Sequence, residues 1–472
     1  MDKRPNILWL CSDQQRYDTI RALGNQYIDT PNLDRLCERG TAFDCTYSQS
    51  PVCTPSRASF LSGKYPSSIN ANILGGVNFP EHCVLIPKAL ADAGYVCGNI
   101  GKLHLSSAWD GYEKRGDDGY QEFLYNHGPG HDLEHGCSAY REWLDKKGID
   151  WHTLFTSDDD HDYYWYRGDA PADLRQTAWC AEEAISFIER HQDEPWMLSV
   201  NCFDPHPPYD APTEYVEKYL ARNIPDPIFG ESDCEVREKL KDVLHRSPEF
   251  KAPDDERRRQ KASYYGMCEI VDRHFGWIID AVDRLGLREN TLIIFTSDHG
   301  EMLGDHGLVL KGCRFYEGAV RVPLIFSMPG TVKEGVVTDT LTELTDIAPT
   351  IAELCGVEFT DVHGHSLLPV MSVAPDREYE PRKYARCEFY DANYVKDGRI
   401  TYATMYRDER YKLVTYHTAD AGQLYDLKED PQELNNLWDK EEYLPLVFKL
   451  TKKSYDIATI VERPGQVRHG RY

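Results

Sequence analysis

Cys53-Thr54-Pro55-Ser56-Arg57 puts a thiol where a helix is about to begin. Pro55 is preset for a first helical turn, the Thr54 and Ser56 hydroxyls can cap free amides, and Arg57 adds a fixed positive charge one turn on. An anion held at Cys53 would meet a helix dipole and a guanidinium together. The plain alternative, on these five residues alone, is a buried structural cysteine ahead of an ordinary helix start.

Four apolar runs end in residues able to share chemistry with it. Residues 6–11 are followed by Asp13 and Gln14, 95–100 by Lys102 and His104, 196–203 by Asp204 and His206, and 291–296 by Asp298 and His299. One polar turn after a strand is commonplace; four that supply carboxylates, an amide, imidazoles and a cation are not. Asp13, the Gln14 amide oxygen and Asp298 are hard oxygen donors that suit a divalent cation, and the His299 nitrogen tilts the set somewhat toward manganese. Calcium is the expected ion, with manganese and magnesium as alternatives.

Something must bring these ends together. Runs of this length without alternation, to which 322–327 belongs, fit strands buried on both faces, and the helical patterns between them fit crossovers of a mainly parallel sheet. The fold class is therefore α/β, a large sheet flanked by helices, and ligands of such sheets bind beyond the carboxyl ends of the strands. The expected catalytic domain spans 1–368, with insertions at about 106–178 and 221–261. After a linker rich in proline and charge, residues 382–472 read as a smaller α+β subdomain. His127, His131 and His135 recur at fours, but Gly128-Pro129-Gly130 breaks any helix there, so that stretch reads as a solvated loop. Tyr163-Tyr164-Trp165-Tyr166-Arg167 suits a pocket wall or ordinary packing, and the charged stretch 254–259 suits a solvated face.

The 472 residues carry a formal charge of −25, which argues against nucleic acid or an anionic membrane as partner. An anionic substrate would then need a local positive well, and Arg57, Lys102, His104, His206 and Lys311 are its candidates. The fourteen cysteines form no Cys-x-x-Cys pair and several lie in apolar runs, as reduced buried thiols of a cytoplasmic protein would. The first residues lack a signal-peptide core, and no apolar run reaches the length of about 18 residues that a membrane span needs.

Cys53-x-Pro55-Ser56-Arg57 resembles the signature of the type I sulfatases, in the alkaline phosphatase superfamily. The likeness continues in the family's order through Asp13-Gln14, Gly101-Lys102-Leu103-His104, Asp204-Pro205-His206-Pro207-Pro208, Ser297-Asp298-His299-Gly300-Glu301 and Lys311, and it includes Leu344 to Thr350 and Leu424-Tyr425-Asp426-Leu427. His299 departs from the asparagine often found in the family. The resemblance implies that a maturation enzyme oxidises Cys53 to formylglycine, whose hydrated form has two hydroxyls. One attacks the sulfur of a sulfate ester and expels the alcohol; loss of a proton from the other lets the covalent intermediate collapse to aldehyde and sulfate. It further implies that Asp13, Gln14, Asp298, His299 and position 53 hold the metal and that Arg57 and Lys102 hold the diol. His104 is then the base, and His206 and Lys311 bind the sulfate oxygens. Asp305, His306 and Arg314 are candidates for an outer layer. The substrate would be a small-molecule or saccharide sulfate, met by the insertion 106–178 and by residues 386–416. The long excursions and the basic tail 463–471 would allow a dimer or tetramer. Two alternatives stay open: a phosphonate monoester or phosphodiester hydrolase using the same apparatus, and an inactive metal- or glycan-binding homologue.

Overall fold

Continuous apolar runs become strands that are buried along their whole length. The computed structural model describes residues 4–76, 83–108, 113–128, 138–155, 170–241, 243, 254–392, 400–417 and 419–461. Strands Asn6–Ser12, Trp196–Asn201 and Thr291–Ser297 are buried at every position. They form the middle of an eight-stranded sheet whose order is Val336–Thr338, Thr41–Phe43, Leu324–Ser327, Thr291–Ser297, Asn6–Ser12, Trp196–Asn201, Val96–Gly101 and Glu122–Tyr125. Alternate residues of the central strand serve opposite layers. Leu8 and Leu10 pack with Trp179, Ile188, Phe275 and Ile278 of helices Gln176–His191 and Asp254–Arg284. Ile7, Trp9 and Cys11 pack with Phe60, Leu61, Leu90 and Ile351 of helices Cys53–Ser62, Ile86–Asp92 and Ile347–Cys355. Burial of both faces is what lets these strands dispense with polar positions.

The sheet is parallel except at Leu324–Ser327, which runs antiparallel to both neighbours. That strand follows Thr291–Ser297 through a loop whose only helices are the short turns Asp305–Gly307 and Glu317–Val320, so the chain doubles back instead of crossing over. Charged residues 254–259 start the 31-residue helix Asp254–Arg284, whose later turns pack on the sheet. His131, His135, Asp158 to His161, Tyr163 to Arg167 and the tail 463–471 lie outside the described residues.

Register is what gathers the strand ends. Cys11 pairs with both Asn201 and Thr296, and Asn201 pairs with Gly101, so the chain leaves the sheet at one level before Asp13, Asp298 and Lys102. Gly101 makes the tightest of these exits. Its φ is +97°, and an alanine Cβ there would stand 2.0 Å from the Asn201 carbonyl oxygen. Gly101→Ala is expected to cost about 3 kcal/mol in denaturant unfolding, through left-handed strain and overpacking combined.

Strands Ala385–Tyr390, Tyr402–Arg407, Tyr411–Tyr416 and Ala421–Asp426 form an antiparallel sheet in sequence order. Cys387, Met405 and Val414 face Phe315 and Val320 of the main body, while Tyr406, Leu413 and Leu424 meet Leu450 of helix Leu444–Val461. Buried Lys412 ties this sheet to helix Glu317–Val320 and to the segment after the sheet's own last strand, 2.8 Å from Glu317 and 2.5 Å from Glu433. Among the described residues no helix is long and apolar enough to cross a membrane, and the thirteen cysteines are free.

Candidate active site

Cys53 is the first residue of helix Cys53–Ser62, entered from extended Val52, and all ten helix residues are buried. The hydroxyls beside it do not cap the helix as expected. Thr54 Oγ1 accepts the Gly75 amide at 3.1 Å, and Ser56 Oγ donates to the Asp298 carbonyl. Both thus fasten the helix start to neighbouring loops.

Around Cys53 Sγ stand His299 Nε2 at 3.0 Å, Lys102 Nζ at 3.7 Å and Asp13 Oδ1 at 3.9 Å. Ligand atoms of Asp13, Cys53, Asp298 and His299 all lie within 4.8 Å of one another, and all four residues are buried. Gln14 joins them with a left-handed backbone, φ 68°, its amide donating to Asp298 Oδ1 at 3.0 Å. Its side chain can point only one way. Nε2 donates to the buried Glu301 carboxylate, which only accepts, so Oε1 turns toward Lys311 Nζ and accepts from it. Two carboxylates, an amide oxygen and an imidazole in a dry cluster are a donor set that fits a divalent cation.

Three cations balance the acids. Arg57, 1% exposed, donates from Nε to Asp298 Oδ2 at 2.8 Å and from Nη1 to Asn201 Oδ1 and the Lys102 carbonyl, and its Nη2 lies 3.5 Å from Asp13 Oδ2. Lys102 Nζ donates to Asp13 Oδ2, and Lys311 reaches Gln14. Burial pushes the Asp13 carboxyl up, but Lys102, His206, Arg57 and Lys311 outweigh it and hold the group well below the usual range. Burial and Asp13 likewise push the Cys53 thiol up, while Lys102, Lys311 and His299 bring it down to about 7.

His104 and His206 stand near this cluster with neutral imidazoles. Burial holds both well below the ordinary histidine range, with His127, Lys102 and Arg57 adding to it at His104 and Lys311 at His206. His206 Nδ1 lies 2.7 Å from the Pro207 carbonyl oxygen, and its ring packs on Phe203 at 4.5 Å. Phe203 in turn lies under Lys102 Nζ at 5.4 Å. His104 adopts φ 56° and is clamped by Glu113, which accepts the amides of His104 at 2.6 Å, Ser106 at 2.9 Å and Leu105 between them.

A sequence profile described as Sulfatase matches residues 5–357, and one described as N-sulphoglucosamine sulphohydrolase, C-terminal, matches 304–459. The chain belongs to the sulfatase family. It is 30% identical over 474 residues to an arylsulfatase of Clostridium perfringens, covering 95% of this chain and 93% of the relative. It is 28% identical over 503 residues to an N-acetylglucosamine-6-O-sulfatase of Bacteroides thetaiotaomicron, covering 96% and 87%. The solved phosphonate monoester hydrolase of Agrobacterium radiobacter superposes with a TM-score of 0.81 at 26% identity, covering 97% of this chain and 96% of that one.

In this sulfatase the candidates for an outer layer turn away from Cys53. Asp305 pairs with Arg16 at 2.8 Å, His306 pairs with Asp233 at 2.8 Å and stacks on Tyr316, and Arg314 donates to the Cys313 and Leu240 carbonyls. Other residues enter the site that sequence reasoning gave no role. Glu301 works by accepting the Gln14 side-chain amide from far along the chain, and Glu113 by accepting backbone amides; neither leaves a mark on composition. His127 is half-buried, and its ring meets that of His104 edge to face at 4.3 Å, where a solvated loop was expected. Strand Glu122–Tyr125 ends two residues before it, so the rule that functional groups follow strand ends would have found it had the strand been recognised.

Proposed function

We propose that this sulfatase hydrolyses sulfate monoesters at position 53, after a maturation enzyme has oxidised Cys53 to formylglycine. The observation that carries the reading is one buried thiol at a helix start with His299, Lys102 and Asp13 around it and Arg57 and Lys311 behind. A thiol kept for packing has no use for so many charges. Formylglycine, hydrated, would supply the nucleophilic hydroxyl. A divalent cation held by Asp13, Gln14, Asp298, His299 and position 53, calcium by its preponderance of oxygen donors, would supply Lewis acidity to that hydroxyl.

The chain's own groups do the rest. Arg57 holds Asp298, and Arg57 and Lys102 together hold Asp13, in place beside position 53. Lys311 provides the positive charge and neutral His206 a hydrogen-bonding group in the wall against which sulfate oxygens would rest. Neutral His104 can accept a proton from the group at position 53. Together they make the positive well that a chain of charge −25 requires.

The arylsulfatase and amino-sugar sulfatase among the relatives make aryl and saccharide sulfates the substrates to try first. Likeness to a phosphonate monoester hydrolase makes an aryl phosphonate the control. Matured protein is expected to turn over the sulfate much faster; the reverse order would replace this reading. The peptide holding position 53 is expected to weigh about 18 Da less than the thiol form. An unmodified thiol in active protein would overturn the mechanism. Glu301→Ala, which frees the Gln14 amide to rotate, is expected to weaken divalent-cation affinity by about tenfold or more in calorimetry.

A further inference from the structure

We infer that His127 is a positioning residue for His104: its ring fixes how the His104 imidazole lies and denies it the partner that a protonated ring would need. The inference rests on the proposed role of His104 as the base. Parallel register pairs Tyr125 with Gly101, and the Asn126 amide donates to the Gly101 carbonyl, so Asn126-His127 leaves the sheet alongside Lys102-Leu103-His104. Asn126 Nδ2 then ties the loop to the Gly128 carbonyl at 3.2 Å and to Ser138 Oγ at 2.9 Å. Gly128 lies so close to Phe203 that an added Cβ would stand 2.8 Å from its ring. The loop is wedged, and it delivers the His127 ring at 90° to that of His104.

Glu113 clamps the backbone of His104 but leaves its ring free to turn; the His127 contact is what stops it. A protonated imidazole has two N–H donors, and among the described residues His104 Nδ1 is buried without a hydrogen-bond partner, as is His127 Nδ1. Protonating His104 would therefore bury an unsatisfied charged donor. The charges facing it agree. Lys102 on its own loop, Arg57 on helix Cys53–Ser62 and His127 oppose a positive ring, Asp13 favours one, and Glu113, which burial pushes up to about 7, is occupied by three amides. A neutral ring of fixed orientation is what a proton acceptor in turnover needs.

The test uses full-length, matured, metal-loaded protein and an aryl sulfate, with kcat and KM followed between about pH 5 and 9. His127→Ala is expected to lower kcat about tenfold with KM within about twofold. His127→Phe keeps a ring against His104 and is expected to recover most of that loss. His127→Asp places a carboxylate beside the ring and is expected to move the acid limb up by about one pH unit. Ring nitrogen NMR titration of His104 in wild type and His127→Asp reads the same displacement without turnover. Wild-type kcat in His127→Ala, a rise in KM alone, or an unmoved His104 titration in His127→Asp would each overturn the inference. Wild-type protein inert toward sulfate esters, with the His104 titration displaced as expected, would overturn the functional reading and leave the positioning role standing.

Discussion

Cys53→Ala, matured alongside wild type, is expected to lose at least about four orders of magnitude in kcat while its melting temperature changes little. The loss is large because the described neighbours of Cys53 Sγ are engaged elsewhere: His299 and Asp13 in the cation cluster and Lys102 with Asp13. The stability change is small because the thiol fills little volume in a cluster held by ion pairs. Cys53→Ser separates the two halves of the chemistry. A single hydroxyl at position 53 could still displace the alcohol from a sulfate ester, but it has no second hydroxyl with which to expel sulfate. The serine variant is expected to release at most one equivalent of alcohol per site and then stop, which stopped-flow detection of an aryl leaving group would record. Sustained turnover by either variant would move the nucleophile away from position 53.

How much of this was legible in sequence follows from where each signal lives. Residues 6–11 and 291–296 read as strands because burial on both faces leaves no room for polar positions, and burial is written in residue type. Their carboxyl ends then had to meet, and the register brings Asp13, Lys102 and Asp298 to one level. Glu122–Tyr125 hid because it is a four-residue edge strand, half-exposed for three of them, and His127 hid with it. The reversed direction of Leu324–Ser327 is a property of its connection, since an apolar run reads the same for either direction. Thr54 and Ser56 look like caps to any local rule; their partners, Gly75 and Asp298, come from elsewhere in the fold. The same holds for Glu301, whose contact with Gln14 spans 287 positions. Residue types named the candidates for the site, and tertiary contacts chose which atom of each side chain meets which neighbour.

Arg57→Ala is expected to be the most destabilising single change in the site, at about 3–5 kcal/mol of unfolding free energy in chelator-treated protein. Arg57 supplies four contacts from a fully dry position, to Asp298, Asp13, Asn201 and the Lys102 carbonyl. The two acids do not suffer alike. Asp13 keeps Lys102, whereas buried Asp298 is left with the Gln14 and His299 amides and the His299 ring. A carboxylate stranded in this way costs more than the ion pair was worth, so the deficit measures desolvation more than lost attraction. Arg57→Lys is expected to recover only part of it, because a single ammonium cannot span acceptors arranged for a planar guanidinium. A divalent cation gives the discriminating measurement. If Asp13 and Asp298 ligate one, saturating calcium will restore more stability to Arg57→Ala than it adds to wild type, since it neutralises the stranded acid as well as binding. Equal increments in the two proteins would mean that the ion sits elsewhere, and that the carboxylates at the strand ends serve only their neighbours in the protein.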